Sequence, residues 1–353
     1  MSDIVAQISR GAQNNYFNAS YISKNEWDDE YLRQSLTDKL YGHDKYMDFR
    51  EPTTYKISPQ QISKNIVHFE IIPKDSNPCE ISNLRLHIKL NNFNESLRTH
   101  ILHIGIKLII GGSYIIEMPM ITNLFLCKIM KKKIKDTDEE LIIPLVLFDM
   151  SSHDKFPLYR LTWHSIKIEI SDIKCFDISL FVDKYDVETS NEKPFTSIIC
   201  QTQYNIFNNM KTVFFNHPVQ FMCIELDDED VFTQRKISKI SLSLNGFSPI
   251  VWDSYRDEIL YVKIFDKIIS FVSFIPNIKT IKDIRKMFKE IKVERMNNKK
   301  FDIRSGINFS RIDKSNISFE TDEITNNKFR TITGINLNIM RFTHGMCAIA
   351  FAN

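Results

Sequence analysis

Residues 306–320 read GINFSRIDKSNISFE, and this stretch raises a choice between a catalytic site and a structural corner. Ile307 and Phe309 alternate with polar residues, which is typical of a half-buried β-strand. The polar run at 313–316 has the composition of a turn, and the alternation resumes at 316–320. The stretch therefore predicts two strands joined by a turn.

Ser310, Arg311 and Asp313 could also be interpreted as catalytic residues, because a serine and a carboxylate stand close together. A strand would place Arg311 and Asp313 on one face and Ser310 on the other. That arrangement suits an ion pair or a hydrogen-bonding set at a strand end better than a base that activates a serine. We therefore predict that Arg311 and Asp313 pin a corner of the fold.

Short strand-like runs, separated by clusters of Asn, Asp, Pro and Ser, continue on both sides of this stretch. They fall into two successive sets, at 65–72, 83–90, 104–119, 141–148, 165–171 and 176–183, and at 211–226, 239–247, 258–265, 268–275, 316–320 and 335–352. Within 104–119, Gly111-Gly112 is a hairpin signal. The pattern has no strand–helix–strand rhythm and predicts an all-β chain of two sandwiches or jelly rolls.

Two segments depart from the strand pattern. Between 278 and 300 apolar residues recur every three or four positions among mainly basic side chains, which indicates an amphipathic helix. Its basic face could contact an acidic partner, a membrane surface or nucleic acid, but a solvated face is the simpler interpretation. A basic run at 128–135 predicts an exposed loop, and 25–40 has near-helical spacing.

Composition excludes several classes of protein. With 43% hydrophobic residues, the 353-residue chain can bury a core, and its length suggests about two domains. A formal net charge of +2 is too small for a protein that coats nucleic acid. The six cysteines are scattered without a CxxC pair, which argues against a zinc or disulfide framework. We find no secretory signal and expect a cytosolic character.

Motifs for chemistry are missing from the sequence. It contains no phosphate-binding glycine loop, no HExxH and no GxSxG. We therefore predict no catalytic residues, no cofactor and no metal site, and we expect that the chain is not an enzyme.

Seven segments carry a resemblance to a known family. In order they are GAQNNYF (11–17), IIGGSYIIE (109–117), IIPLVLFDMSSHDKFPLYRLTWHSIKIEI (142–170), FFNHPVQFMCIEL (214–226), SLNGFSPIVWDSYRDE (243–258), GINFSRID (306–313) and NIMRFTHGMCAIAFAN (338–353). Together they resemble the double jelly-roll major capsid proteins of nucleocytoplasmic large DNA viruses, the iridovirus, phycodnavirus and mimivirus-like group. The resemblance extends through almost the whole chain.

The most specific marks lie in the second half, at positions that match the family's motifs. We predict a structural role for these positions, which are Asn216, His217, Pro218, Asn245, Gly246, Asn308, Phe309, Ser310, Arg311, Ile312, Asp313, Gly345 and Met346.

The resemblance implies two consecutive eight-stranded antiparallel jelly rolls. It places an N-terminal arm at 1–55, a first roll at 56–200, and a second roll at 201–353 with the basic helical insertion at about 278–300. It further implies a homotrimer that forms a pseudo-hexagonal capsomer of an icosahedral shell, located in the virion and assembled in the host cytoplasm. Minor capsid proteins are expected partners, the arm is the candidate for an inward contact with those proteins or with an inner viral membrane, and no direct contact with nucleic acid is expected.

The sequence alone also allows other functions. A minor capsid protein, or a scaffold similar to the poxvirus double jelly-roll protein, would share the fold. A carbohydrate-binding β-sandwich is a more distant alternative. It would need a concave cluster of carboxylates or Trp, whereas Trp27, Trp163 and Trp252 are far apart in the sequence.

Overall fold

The structure is a computed structural model. It describes residues 52–63, 65–73, 78–89, 100–137, 139–148, 155–172, 177–187, 195–206, 212–227, 236–265, 267–275, 278–293, 306–321 and 328–349. The predicted helix at 25–40 and the rest of the N-terminal segment to residue 51 lie outside the described residues.

The first half of the described chain forms strands that pair only with one another. Its elements are β1 (Thr53–Ile57), β2 (Gln60–Ser63), β3 (Ile66–Ile71), β4 (Cys79–Lys89), β5 (Gly105–Ile110), β6 (Ser113–Pro119), α1 (Met120–Met130), β7 (Lys135–Asp136), β8 (Glu140–Pro144), β9 (Ile166–Ser171) and β10 (Asp177–Asp186).

Eight of these strands form a jelly roll. Numbered one to eight in chain order, β1, β3, β4, β5, β6, β8, β9 and β10 make two sheets with the orders 1-8-3-6 and 2-7-4-5. β2 and β7 extend the sheet edges by pairing with β3 and β8. Burial alternates along β5 and β9, so that Ile106, Leu108 and Ile168 face the core. Lys107 lies on the opposite face, paired with Glu117 at 3.2 Å.

A buried carboxylate attaches the exposed strand β1 to its neighbours. Asp183 on β10 accepts hydrogen bonds from Thr54 on β1 at 2.7 Å and from Asn83 on β4 at 3.0 Å. It also forms an ion pair with Arg85 at 2.6 Å. A carboxylate with this many donors can be buried without an unpaired charge.

The second half repeats the arrangement. Its elements are β11 (Phe195–Ile206), β12 (Pro218–Asp227), β13 (Ile237–Leu244), β14 (Ile250–Asp253), β15 (Leu260–Ile264), β16 (Lys267–Ser273), α2 (Ile281–Val293), β17 (Ile307–Asn308), β18 (Ser315–Thr321), β19 (Lys328–Thr343) and β20 (Met346–Ile349). The main sheet has the order β11-β19-β12-β16-β15, and the smaller sheet has the order β14-β13-β18.

The second roll has the strand order of the first. A single bridge from Thr212 to Asn316 on β18 stands where the second strand of the roll is expected. With this bridge, β11, β12, β13, β14, β16, β18 and β19 again give the orders 1-8-3-6 and 2-7-4-5. All pairings are antiparallel, so the predicted all-β fold of two jelly rolls is confirmed. β11 pairs with β19 from Phe195 onward, so the second roll begins before the proposed boundary at residue 200.

The sheet β11-β19-β12-β16-β15, which we call the shared sheet, is buried on both faces. On β12, Met222 and Ile224 pack in the core of the second roll, whereas Phe221 and Cys223 pack in the cluster that includes the first roll. All ten residues from 331 to 340 on β19 are buried. One sheet therefore serves both the core of its own roll and the junction between the rolls.

The helices α1 and α2 lie at this junction. α1 was not predicted from the sequence, because nine of its residues are buried and it therefore has no polar face to create a helical period. The basic run predicted to be a loop at 128–135 begins in its last turn. α2 confirms the predicted helix between 278 and 300, and its Ile284 and Met287 are buried against the junction.

Candidate functional site at the junction of the two rolls

Aromatic side chains form the centre of the junction. Phe125 on α1 stacks on Phe271 of β16, with ring centroids 5.2 Å apart, and Phe221 of β12 stacks on the same ring at 5.2 Å. Nearby, Phe156 of the first roll meets the edge of Phe342 on β19 at 5.5 Å. These rings bury large apolar areas of both rolls against each other, so neither roll presents this face to water.

Several polar groups inside the junction are paired. Asn123 on α1 is completely buried; it donates to the carbonyl oxygen of Pro144 at 2.8 Å and accepts from the backbone N–H of Val146 at 2.9 Å. The hydroxyl groups of Thr122 and Thr333 lie 3.1 Å apart and join α1 to β19. Paired polar groups of this kind specify one position of the helix on the sheet.

A row of side-chain amides on β11 bonds to the segment before β12, in place of the backbone hydrogen bonds of a regular strand pair. Gln203 donates to the carbonyl oxygen of Asn216 at 2.9 Å and accepts from its N–H at 2.6 Å. Asn205 contacts Phe214 in the same way, at 2.8 and 2.6 Å. Each amide thus offers the donor and acceptor that a neighbouring strand would offer. The extended segment before β12 is held beside β11 without a regular ladder.

The third amide of the row, Gln201, joins the two rolls. It donates to the carbonyl oxygen of Ile115 on β6 at 2.6 Å and accepts from the amide of Asn338 at 2.6 Å. Thr202 donates to the carbonyl oxygen of Glu117, also on β6, at 2.9 Å. β6 and β11 are both sheet edges, and these side chains cross the space between them. This row was not predicted; its signal in the sequence is the amide at every second position in CQTQYN (200–205).

A cleft of about 470 Å³ lies along the two edges. Tyr114 and Phe214 lie at its rim, and these residues are 56% and 66% exposed. The ammonium of Lys107 lies 5.4 Å from the Tyr114 ring. The cleft joins open strand edges with exposed aromatic rings, a combination suited to contact with another polypeptide.

Three segments of the family resemblance meet at the far end of the junction. Gly111, in the hairpin between β5 and β6, has φ +57°, and a Cβ there would lie 2.3 Å from the ring of His164. His164 Nδ1 accepts a hydrogen bond from the N–H of Cys347 at 3.2 Å. The carbonyl oxygen of Gly345 accepts from the N–H groups of Thr162 and Trp163 at 2.9 and 3.1 Å. The last hairpin of the chain is therefore attached to the first roll.

The stretch GINFSRID forms a second meeting point, inside the second roll. Asn308 Oδ1 accepts from the N–H and the hydroxyl of Ser310, at 3.2 and 2.6 Å. The N–H of Phe309 donates to the carbonyl oxygen of His217 at 3.1 Å, and Asn308 pairs with Pro218. The motifs NHPV (216–219) and NFSRID (308–313) thus touch each other directly.

The local conformation corrects one part of the sequence analysis. Phe309–Arg311 is a 3-10 turn that begins at Asn308, so the strand that would place Arg311 and Asp313 on one face is not formed. Both side chains are exposed, and the ion pairs among the described residues include none between them. Ile312 is half-buried beside the core. The contacts that hold the corner come from Asn308, Phe309 and Ser310.

The Asn245-Gly246 turn is attached to the same corner. Both residues have positive φ, +50° and +77°, as a type I′ turn requires. The N–H of Asn245 donates to the carbonyl oxygen of Lys314 at 2.7 Å, and its side-chain oxygen accepts from the N–H of Lys314 at 2.9 Å. The predicted site residues therefore divide into this corner and the far end of the junction. Met346 belongs to the latter and is about half exposed.

The environment of the buried cysteines determines their reactivity. Burial raises the pKa of the thiols of Cys200, Cys223 and Cys347, which keeps them protonated and poorly nucleophilic. The described part of the chain has no group of three or more His, Cys, Asp or Glu placed to hold a metal ion. The geometry at both meeting points consists of backbone pairing, amide contacts and ring packing.

Comparison of the sequence with family models and with curated proteins found no match in either case. Structural comparison found PBCV-1 VP54, from a crystal structure fitted into a cryo-EM reconstruction of the virophage Sputnik, with a TM-score of 0.58 and 13% identity over 88% of this chain and 99% of that chain. A chain of the quasi-atomic model of the PBCV-1 virus capsid is similar, with a TM-score of 0.55, 14% identity and the same coverage. At these identities the likeness shows the fold, and it confirms the double jelly roll.

We expect Asn308→Ala to lower the free energy of unfolding by about 1–2 kcal/mol, because it removes the acceptor that closes the 3-10 turn. Arg311→Ala, three positions away and exposed, should change it by less than about 0.5 kcal/mol. Urea denaturation of both variants measures the difference. A larger loss for Arg311→Ala than for Asn308→Ala would restore the ion-pair interpretation.

Gly345→Ala and Gly246→Ala form a matched pair, because both glycines have φ +77°. Each substitution should lower the free energy of unfolding by about 1–2 kcal/mol, because alanine is strained in the left-handed conformation. A Cβ at Gly345 would also lie 2.7 Å from Thr162, whereas nothing lies within 4 Å at Gly246. We therefore expect Gly345→Ala to lose about 1–3 kcal/mol more stability in urea denaturation. Equal losses would show that the last hairpin is not held against the first roll.

Proposed function

We propose that this chain is a structural capsid protein of a large DNA virus. The observation that carries the proposal is the pair of jelly rolls with identical strand orders, held side by side by one sheet buried on both faces. Its support from other proteins is the likeness to VP54 and to the PBCV-1 capsid, which extends over 99% of each of those chains. The similar structures are those of capsid proteins, which supports the inference that this chain is not an enzyme.

A rigid pair of sandwiches is a suitable building block for a shell. Three copies around a threefold axis would place six similar sandwiches in a ring, so a trimer has a pseudo-hexagonal outline that can tile an icosahedral face. Such assembly would also cover open strand edges, which otherwise invite uncontrolled pairing. The strands β6 and β11 are edges of this kind, and they line the cleft that has Tyr114 and Phe214 at its rim.

The finer parts of the proposal follow from the family resemblance. We infer that the protein is located in the virion and that it assembles in the host cytoplasm. Its partners would be other copies of itself, minor capsid proteins and, through the arm at 1–55, an inner viral membrane. A net charge of +2 agrees with a shell subunit that does not contact packaged DNA.

The purified chain should form trimers. We expect a mass about three times the 41.6 kDa of one chain in light scattering, unchanged on dilution because obligate interfaces dissociate slowly. Negative-stain images should show particles with a hexagonal outline. Monomers that persist over the whole concentration range would contradict a role as a shell subunit.

A further inference from the structure

Two lysine-rich segments that are far apart in the sequence meet beside the junction. Arg285 on α2 donates from Nε to the carbonyl oxygen of Ile129, 156 positions away, and from its terminal nitrogen to that of Lys128 at 3.1 Å. These carbonyl groups belong to the last turn of α1, where the helix dipole is negative. Arg285 therefore caps α1 and brings the two basic segments together.

Five exposed lysines lie on the two segments that Arg285 joins, and we call them the basic surface. They are Lys131 and Lys133 after α1, and Lys279, Lys282 and Lys286 before and along α2. The ammonium of Lys128 instead donates to the carbonyl oxygen of Lys263. The acidic group nearest to them on α2, Asp283, accepts hydrogen bonds from the N–H and hydroxyl of Thr280 at 2.8 and 2.7 Å and so caps its own helix. On the other side, Glu140 is paired with Lys135.

The composition of the basic surface favours one kind of partner. Its arginine is already used to cap α1, and none of the large exposed apolar side chains of the described residues lies in it. Recognition of nucleic acid usually relies on bidentate contacts of arginine with phosphates or bases and on aromatic side chains that stack on bases. Protein interfaces rely on Trp, Tyr and Arg. Flexible lysines with compact ammonium groups instead suit a diffuse layer of anionic headgroups.

We propose that the basic surface attaches the chain to an anionic lipid membrane by charge alone. Ile284 and Met287 on the apolar face of α2 are buried in the protein and are not available for insertion into a bilayer. No helix of the described residues is long and apolar enough to span a bilayer. Attachment by charge makes the binding sensitive to salt. The proposal does not depend on the capsid role, because it concerns a surface of the single chain.

The test is sedimentation of the full-length chain with vesicles of phosphatidylcholine alone or mixed with phosphatidylserine. We expect binding to the mixed vesicles and none to the neutral ones, and loss of binding when the salt is raised to about 1 M, where the screening length falls to about 3 Å. Lys131→Gln, Lys133→Gln, Lys279→Gln and Lys282→Gln combined should weaken partitioning by at least about a hundredfold, because each lysine contributes about fivefold.

The matched control removes the same number of charges elsewhere. Lys56→Gln, Lys89→Gln, Lys236→Gln and Lys314→Gln combined change four exposed lysines outside the basic surface, and this variant should retain binding within about tenfold. Equal loss in both variants would overturn the assignment to the basic surface, because the net charge of the whole chain would then explain the binding. Binding to single- or double-stranded oligonucleotides in preference to the mixed vesicles, or no binding to either, would overturn the lipid proposal. Because trimers are measured separately by light scattering, failure here is distinguishable from failure of the capsid role.

Discussion

The burial of the shared sheet on both faces is the constraint on which the rest of the molecule depends. An antiparallel sheet in a jelly roll normally packs one face on its core and leaves the other to water. Here the outer face carries Phe221, Cys223 and Phe271, which would be exposed if the second roll stood alone. α1 covers them, and the first roll holds α1. Each roll is therefore incomplete without the other, and their relative position is set by packing and not by a linker.

Buried amides complete this arrangement. A sheet buried on both faces must pair every polar side chain inside it, since a lost partner costs more than a hydrogen bond gains. Gln201 meets this demand by bonding to β6 and to Asn338 together, so one side chain contacts both rolls. Apolar packing alone would allow the rolls to slide, whereas these directional contacts specify one register. A shell subunit needs such a fixed geometry, because each copy must present the same edges.

Much of the fold could be predicted from the sequence. The alternation of β3, β9, β13 and β18, the glycine hairpin at Gly111-Gly112 and the period of α2 are local signals, and each corresponds to an observed element. α1 was missed because a helix buried all round has no polar face. β11 was missed because amides interrupt its apolar residues, and those amides serve contacts with β6 and with the segment before β12.

The candidate site was predictable only in part. The motif residues were recognised, but spacing could not indicate that Gly111, His164 and Gly345 meet, because the contact is made by three distant segments. Arg311 and Asp313 attracted attention as charged neighbours. The neutral side chain of Asn308 instead stabilises the corner, because it accepts a hydrogen bond from Ser310 in the 3-10 turn at Phe309–Arg311. Short polar side chains that close turns are easily overlooked beside charges.

Hydrogen–deuterium exchange of the full-length chain tests the central claim most directly, because it measures which segments open together. If the two rolls share one sheet as a common core, the amides of α1 should exchange in the same slow class as those of β12 and β19, although α1 belongs to the first roll. Exchange of α1 together with β5 and β9 but independently of β12 and β19 would show two separately stable rolls, and would contradict the account.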